Sequence, residues 1–231
     1  MSDLNKRVIS GAAMALIAIA TLIFFDGLPF KIFYAVVAII AACELIVGYR
    51  KLDYTSTEIV MHVVTEFIIL IAGAIIIATQ FSRNAIITAL VIAFANDIGA
   101  YFIGKFMHGK YSKSRPFPDV SPNKSWEGIV GGALFGMLGG VICYHQQLMP
   151  SSNYVFFVIL TLTGWMIAVF GDWYESKTKR LLNIKDSGDT LRDNPVMQVA
   201  EGITEGHGGF MDRIDSLSTV TIYVFLLTLI L

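Results

Sequence analysis

Charge is scarce in this sequence. Only 15% of its 231 residues are Asp, Glu, Lys or Arg, where an ordinary soluble domain carries about 25%. With 55% hydrophobic residues and a mean hydropathy of +0.65, that shortage excludes a typical soluble globule and points to a polytopic membrane protein. A net charge of −1 offers no basic surface for nucleic acid, so no nucleic-acid partner is expected. Cysteine is rarer still. Cys43 and Cys143 both lie within apolar runs, with no metal-ligand spacing and no disulfide framework, and read as free buried thiols. No internal repeat stands out. The N-terminal apolar run reads as a retained helix, not as a removed signal peptide.

What the sequence does have is long hydrophobic runs. Those approaching the roughly 20 residues of a spanning helix are Val8–Phe25, Phe30–Gly48, Thr57–Gln80, Asn84–Gly104, Gly128–Tyr144, Asn153–Asp172 and Leu217–Leu231. The fold expected is therefore all-α, a single membrane helix bundle over residues 1–231 with about seven spans. Residues 1–95 supply N-terminal helices and residues 96–231 the catalytic portion. Cytoplasmic flanks of spans are enriched in Lys and Arg. With an inner N-terminus, all but Lys31 and Arg83 of the 17 basic residues fall on the inner side. Two inner loops are long and polar, Lys105–Glu127 and Trp173–Ser216, and half of the 18 acidic residues lie between Asp172 and Asp215. The chemistry is expected on the cytoplasmic face of the membrane, in the loops between spans.

Five constellations carry that chemistry. In "GDWYESKTKR", continuation of the sixth span would put Asp172, Glu175, Ser176 and Lys179 on one helical face. Such a stripe can hold a metal and a phosphate together, or be a solvated helix end with i, i+4 pairing. "NIKDSGD" suits a turn whose backbone N–H groups accept an anion, or a plain surface turn. In "GHGGFMDRIDS", Gly208 and Gly209 permit close backbone approach, His207 can donate to a phosphate, and Arg213 can pair with one. Asp212 and Asp215 share a face at a helix start, which suits a hard cation. The alternative is a capped helix start with an arginine anchor. "SPNKSWEG" places Lys124 and Trp126 at the interface and Glu127 at the start of the fifth span, where a carboxylate favours the helix dipole. In "FANDIGAYFIGK", Asn96 and Asp97 lie within a span, where a charge costs roughly 2.5–3.5 kcal/mol and usually faces a partner or a cavity. Glu44, Glu66 and His62 are also intramembrane, and helix–helix hydrogen bonding is their default role.

These motifs resemble a known family. Ser176 to Gly188, read as S-x-x-K-R-x4-K-D-x-G, and His207 to Asp215, read as H-G-G-F-x-D-R-I-D, are similar to the signature of the phosphatidate cytidylyltransferases, the CDP-diacylglycerol synthases. "SPNKSWEG" resembles the family's Ser-Pro-Lys-Lys-Thr-x-Glu-Gly element, with Asn123 and Ser125 in place of Lys and Thr. "NDIGAYFIGK" resembles its Asp-x-x-Ala-Tyr-x-x-Gly-Lys element. The resemblance implies transfer of CMP from CTP to phosphatidic acid with release of pyrophosphate, in a cell inner membrane. It implies Mg2+, with a second cation as an option, held by Asp172, Asp212 and Asp215. Lys124, Ser176, Lys179, Arg180, Lys185, Asp186, His207 and Arg213 are implied as catalytic. Asn96, Asp97, Ser121, Glu127, Gly208 and Gly209 are implied as substrate-binding. A homodimer is implied as well.

One departure stands out. The family's His-Gly-Gly element follows its Lys-Asp element after a few residues, whereas here Arg192–Glu205 intervenes. Within it, Asn194 as cap, Pro195 at the first helical position and Gly202 as stop predict a short helix, Pro195–Glu201, on the membrane surface beside the lipid entrance. Rival functions are a CTP-dependent enzyme for another lipid phosphate, such as an ether lipid or polyprenyl phosphate, and a transporter using Asp97, Glu66 and Glu44 as an ion path. The charge split itself is testable. A reporter fused at Leu231 is expected to read an outer location, and a cytoplasmic signal would overturn both the orientation and the span count.

Overall fold

The computed structural model of the chain describes residues 27–79, 82–107, 114–190 and 209–231. Among the described residues the secondary structure is all helical: α1 Leu28–Arg50, α2 Thr57–Thr79, α3 Arg83–Met107, α4 Trp126–His145, α5 Tyr154–Leu181 and α6 Met211–Ile230, with a 3-10 turn at Ser187–Thr190. Five helices, α1 to α5, are long and apolar enough to cross a membrane; in α6 the apolar stretch, Ile214–Ile230, is shorter. The span expected at Val8–Phe25 and the short helix expected at Pro195–Glu201 lie outside the described residues. Among the described residues, five helices are therefore long and apolar enough to cross a membrane.

Local sequence explains where these helices start. The first backbone N–H groups of a helix have no partner inside it. The Ser56 hydroxyl accepts from Ile59 at 3.3 Å, Ser82 from Ala85 at 3.4 Å, Ser125 from Gly128 at 3.1 Å, and the Asn153 amide oxygen from Val155 at 2.9 Å. These are the side chains favoured as N-caps. The α1 helix begins differently, after Gly27 at φ 79° with a proline in its first turn.

Two helix ends share one solution. Gln147 and Asn183 adopt positive φ, 56° and 58°. Around Asn183, the Ile184 amide reaches the Lys179 carbonyl at 3.0 Å and the Asn183 amide reaches Arg180 at 3.1 Å. This paired closure satisfies the last carbonyls and turns the chain sharply. Before that stop, α5 runs for 28 residues, about 42 Å at 1.5 Å per residue. That exceeds a hydrocarbon core of about 30 Å, so its polar last turns emerge from the apolar layer.

The chain forms two compact units. One comprises Met1–Ala78 and Thr178–Asp215, the other Thr79–Lys177 and Ser216–Leu231. The first buries Phe30, Tyr34, Leu45, Leu70, Ile77, Leu182 and Met211. The second buries Ile86, Ala89, Ile92, Phe156, Leu160, Val220 and Val224, together with Cys143. Cys43 and Cys143 are both free thiols; Cys143 is buried as expected, whereas Cys43 is only half-buried. In the second unit α3 and α4 approach along a glycine seam. A β-carbon at Gly131 would collide with Ile103 and the Gly99 carbonyl, and one at Gly132 would lie 2.6 Å from Asn96 Oδ1. Small residues are what permit such close helix approach in lipid, where apolar burial itself drives little association.

Gly131→Leu is expected to destabilise the fold by about 1–3 kcal/mol through overpacking. Leu138→Ala, at a lipid-facing position that is 54% exposed, is expected to change it by no more than about 0.5 kcal/mol. Thermal unfolding in detergent compares the two; equal effects would refute the seam.

Candidate functional site

Polar chemistry gathers at one place in each unit. In the second unit a cavity of about 340 Å³ opens between α3, the segment before α4, and α5. Asn96, Asp97, Tyr101 and Lys105 line it from α3, Asn123 to Ser125 from the loop, and Asp172 from α5. Asp97 is exposed to this space, while Asn96 is buried with its Oδ1 lacking a hydrogen-bond partner. Lys124 forms an ion pair with Asp172, both partly exposed, and its ammonium lies 5.9 Å from the Phe117 ring centre. A turn delivers it there: the Lys124 amide bonds the Ser121 carbonyl at 3.1 Å, with Pro122 at the position whose φ a proline presets.

The α5 stripe forms as the spacing required. Asp172 and Glu175 bring carboxylate oxygens within 4.8 Å of each other, and Ser176 is buried beside them in sequence. Ser121 and Glu127 do not line the cavity. Ser121 shapes the Lys124 turn, and Glu127 is buried in the first turn of α4.

In the first unit the centre is Asp212, on the first turn of α6. One carboxylate oxygen takes the Lys179 ammonium. The other accepts from the Ser187 hydroxyl at 2.8 Å, the Ser187 amide at 3.2 Å and the Gly209 amide at 2.7 Å. The anion expected at the Lys-Asp turn is thus the chain's own Asp212. Burial raises the pKa of this carboxyl, but the Lys179 charge, the hydrogen bonds from Lys179 and Ser187, and the Gly209 amide outweigh it and hold the group below the ordinary carboxylate range. Buried Glu66, on α2, also faces the Lys179 charge.

The remaining expected residues divide. Arg180 donates to the Ile184 carbonyl at 3.0 Å, bracing the end of α5. Lys185 is exposed and Asp186 half-buried at the following turn. Asp215 is buried, 6% exposed, one turn along α6 from Asp212. His207 and Gly208 lie outside the described residues, as does the Arg213 side chain. Two residues were missed as site members. Glu175 was legible in its i, i+3 spacing from Asp172. Glu44 was legible only as a costly intramembrane charge; it accepts the amides of Phe210 and Met211, both at 2.9 Å.

The Asp212 pair sets an acid limb to stability. Because its folded pKa is depressed, the stabilisation is complete above the unfolded carboxylate value of about 3.9 and is lost as pH falls through the lower folded value. Asp212→Asn is expected to cost about 3–5 kcal/mol at neutral pH by removing the carboxylate charge that Lys179 faces, and to flatten that acid limb. Thermal unfolding across an acid titration in detergent is the measurement, and an unchanged limb would refute the pairing.

Comparison with known proteins places these motifs. A model of the cytidylyltransferase family matches residues 49–231. The chain is 39% identical over 139 residues to a phosphatidate cytidylyltransferase of Helicobacter pylori, covering 60% of this chain and 44% of the relative. It is 36% identical over 131 residues to that of Haemophilus influenzae, covering 55% and 40%, and 32% identical over 148 residues to that of Bacillus subtilis, covering 64% and 48%. The matched stretches span less than half the length of these relatives. The family match takes in every motif from Asn96 to Asp215, and the chain belongs to the cytidylyltransferase family.

Proposed function

We propose that this chain transfers CMP from CTP to phosphatidic acid, giving CDP-diacylglycerol and pyrophosphate, within an integral membrane protein whose active site faces the cytoplasm from the inner membrane. In this reading residues 1–231 act as one membrane domain of seven spans, with 96–231 its catalytic portion, working as a homodimer. The observation that carries the proposal is the meeting of two family motifs at Asp212: the Lys-Asp-Ser-Gly turn through Ser187, and the His-Gly-Gly segment through Gly209.

The lipid phosphomonoester is already an anion, so the reaction needs little general-base help. A phosphate oxygen of the lipid bonds to the α-phosphorus of CTP as the bond from that phosphorus to the bridging oxygen breaks, and pyrophosphate leaves. The obstacle is electrostatic, since two anions meet and charge grows on the leaving group. Lys124, Lys179, Arg180, Lys185, Arg213 and His207 are assigned to offset that charge and orient the phosphates. Ser176 and Asp186 are assigned to the nucleotide side of the site, and Gly208 and Gly209 to substrate binding. Asn96 and Asp97 contact substrate in the α3 cavity, with Ser121 and Glu127 assigned to bind the same substrate from the Lys124 motif. Carboxylates are hard oxygen donors and fit Mg2+; Asp172, Asp212 and Asp215 are assigned to hold it, with Glu175 near enough to Asp172 to add a ligand. When bound, the ion neutralises phosphate charge in the transition state.

A transporter is the weaker reading. Glu44, which would line its ion path, is engaged by the amides of Phe210 and Met211.

Pyrophosphate release from the purified protein in lipid nanodiscs is expected only with CTP, Mg2+ and phosphatidic acid together. Asp172→Asn and Lys124→Met are each expected to lower kcat by about 10²–10³. Release with a polyprenyl or ether-lipid phosphate in place of phosphatidic acid would move the assignment to that acceptor. No release with any lipid phosphate, or near-wild-type turnover by either variant, would overturn it.

A further inference from the structure

Glu44 sits in the apolar helix α1 and is only 2% exposed. Its two oxygens are divided between two successive amides, Oε1 to Phe210 and Oε2 to Met211, each at 2.9 Å. The Ser187 hydroxyl also faces it. These amides open α6, and a helix start of this kind needs acceptors. Gly209 and Phe210 have no side-chain oxygen to act as a local cap. The acceptor comes instead from a residue 166 positions earlier in the chain.

The Gly209 amide bonds Asp212 at 2.7 Å. Three successive N–H groups, at 209, 210 and 211, therefore all point at carboxylates. Such an arc of amides binds anions well, and here the anion is built in. Gly209 suits this crowding: a β-carbon there would meet Ser187 Oγ and both oxygens of Glu44, which would have to shift. One turn along α1, Gly48 leaves room for the other motif, since a β-carbon would lie 3.2 Å from Thr190 and 3.3 Å from Leu182. The same face of α1 thus seats both the Lys-Asp turn and the start of α6.

We infer that Glu44 is a positioning residue for the reaction proposed above. By fixing the Phe210 and Met211 amides it sets where Asp212 stands, and with it the Lys179–Asp212 pair. The inference rests on that proposed reaction. Glu44 itself precedes residue 49, where the family match begins, while its partners Phe210 and Met211 lie within the match.

Glu44→Gln and Glu44→Ala in the full chain test it, by steady-state kinetics and by hydrogen exchange. Gln keeps one acceptor oxygen but turns an NH2 toward the second amide. Glu44→Ala is expected to lower kcat about 100-fold, the scale of a misplacement near 1 Å, with KM for CTP little changed. Exchange at Phe210 and Met211 is expected to rise about tenfold or more, with α4 amides unchanged. Glu44→Gln is expected to fall between wild type and Glu44→Ala in both readouts. Preserved kcat, or unchanged exchange at the two amides, overturns the inference. So does loss of protection throughout α4 in both variants, which marks a general fold defect. A wild-type protein that turns over no lipid phosphate defeats the functional reading instead, and the exchange data still decide whether Glu44 holds the start of α6.

Discussion

Asp212 is the carboxylate on which the polar structure of the first unit depends. It gathers an ammonium from α5, a hydroxyl and an amide from the 3-10 turn, and an amide from the start of its own helix. Buried polar groups are costly to leave without partners, so they must be met by the protein itself. A single carboxylate satisfying four donors therefore does two things at once: it settles the charge of Lys179, and it ties together segments far apart in the chain. Glu44 extends the same logic from α1. Residues that a soluble protein would leave to solvent are here committed to one another.

Much of this architecture was legible in the sequence, and the legible part is local. Apolar runs near 20 residues became α1 to α5 within a few residues at their N-terminal ends, because hydrocarbon thickness and helix rise fix the length. Ser56, Ser82, Ser125 and Asn153 mark helix starts because capping acts over two or three residues. The stripe from Asp172 to Lys179 was readable because α5 continues to Leu181. The start of α6 at Met211 was legible in the Asp212 and Asp215 spacing, whereas the apolar run marked the span only from Leu217, because hydropathy does not register a polar first turn.

What the sequence hid was pairing at long range. "KDSG" reads as an anion-binding turn, yet nothing local says that the anion is Asp212, 25 residues on. Glu44 reads as an expensive charge in a span, but its partners are backbone amides, which carry no side-chain signature. Ser121 and Glu127 stand outside the cavity lining. Their motif brings Lys124 to the cavity through the turn that the Ser121 carbonyl closes, and Glu127 lies buried in the first turn of α4. A motif marks residues that matter together; which of them touches a ligand is decided by packing.

The glycine seam between α3 and α4 has a consequence for how the protein enters its membrane. Glycine adds little hydrophobic drive, and α4 is crowded with it on the face toward α3. α3 has the complementary weakness, since it carries Asn96 and Asp97 within its span. The two are the least apolar of the five membrane-length helices. Side by side, the glycines of α4 cover Asn96, and exposed backbone and polar side chain are shielded together. The two therefore favour leaving the insertion machinery as a hairpin, with helix pairing preceding release into the bilayer.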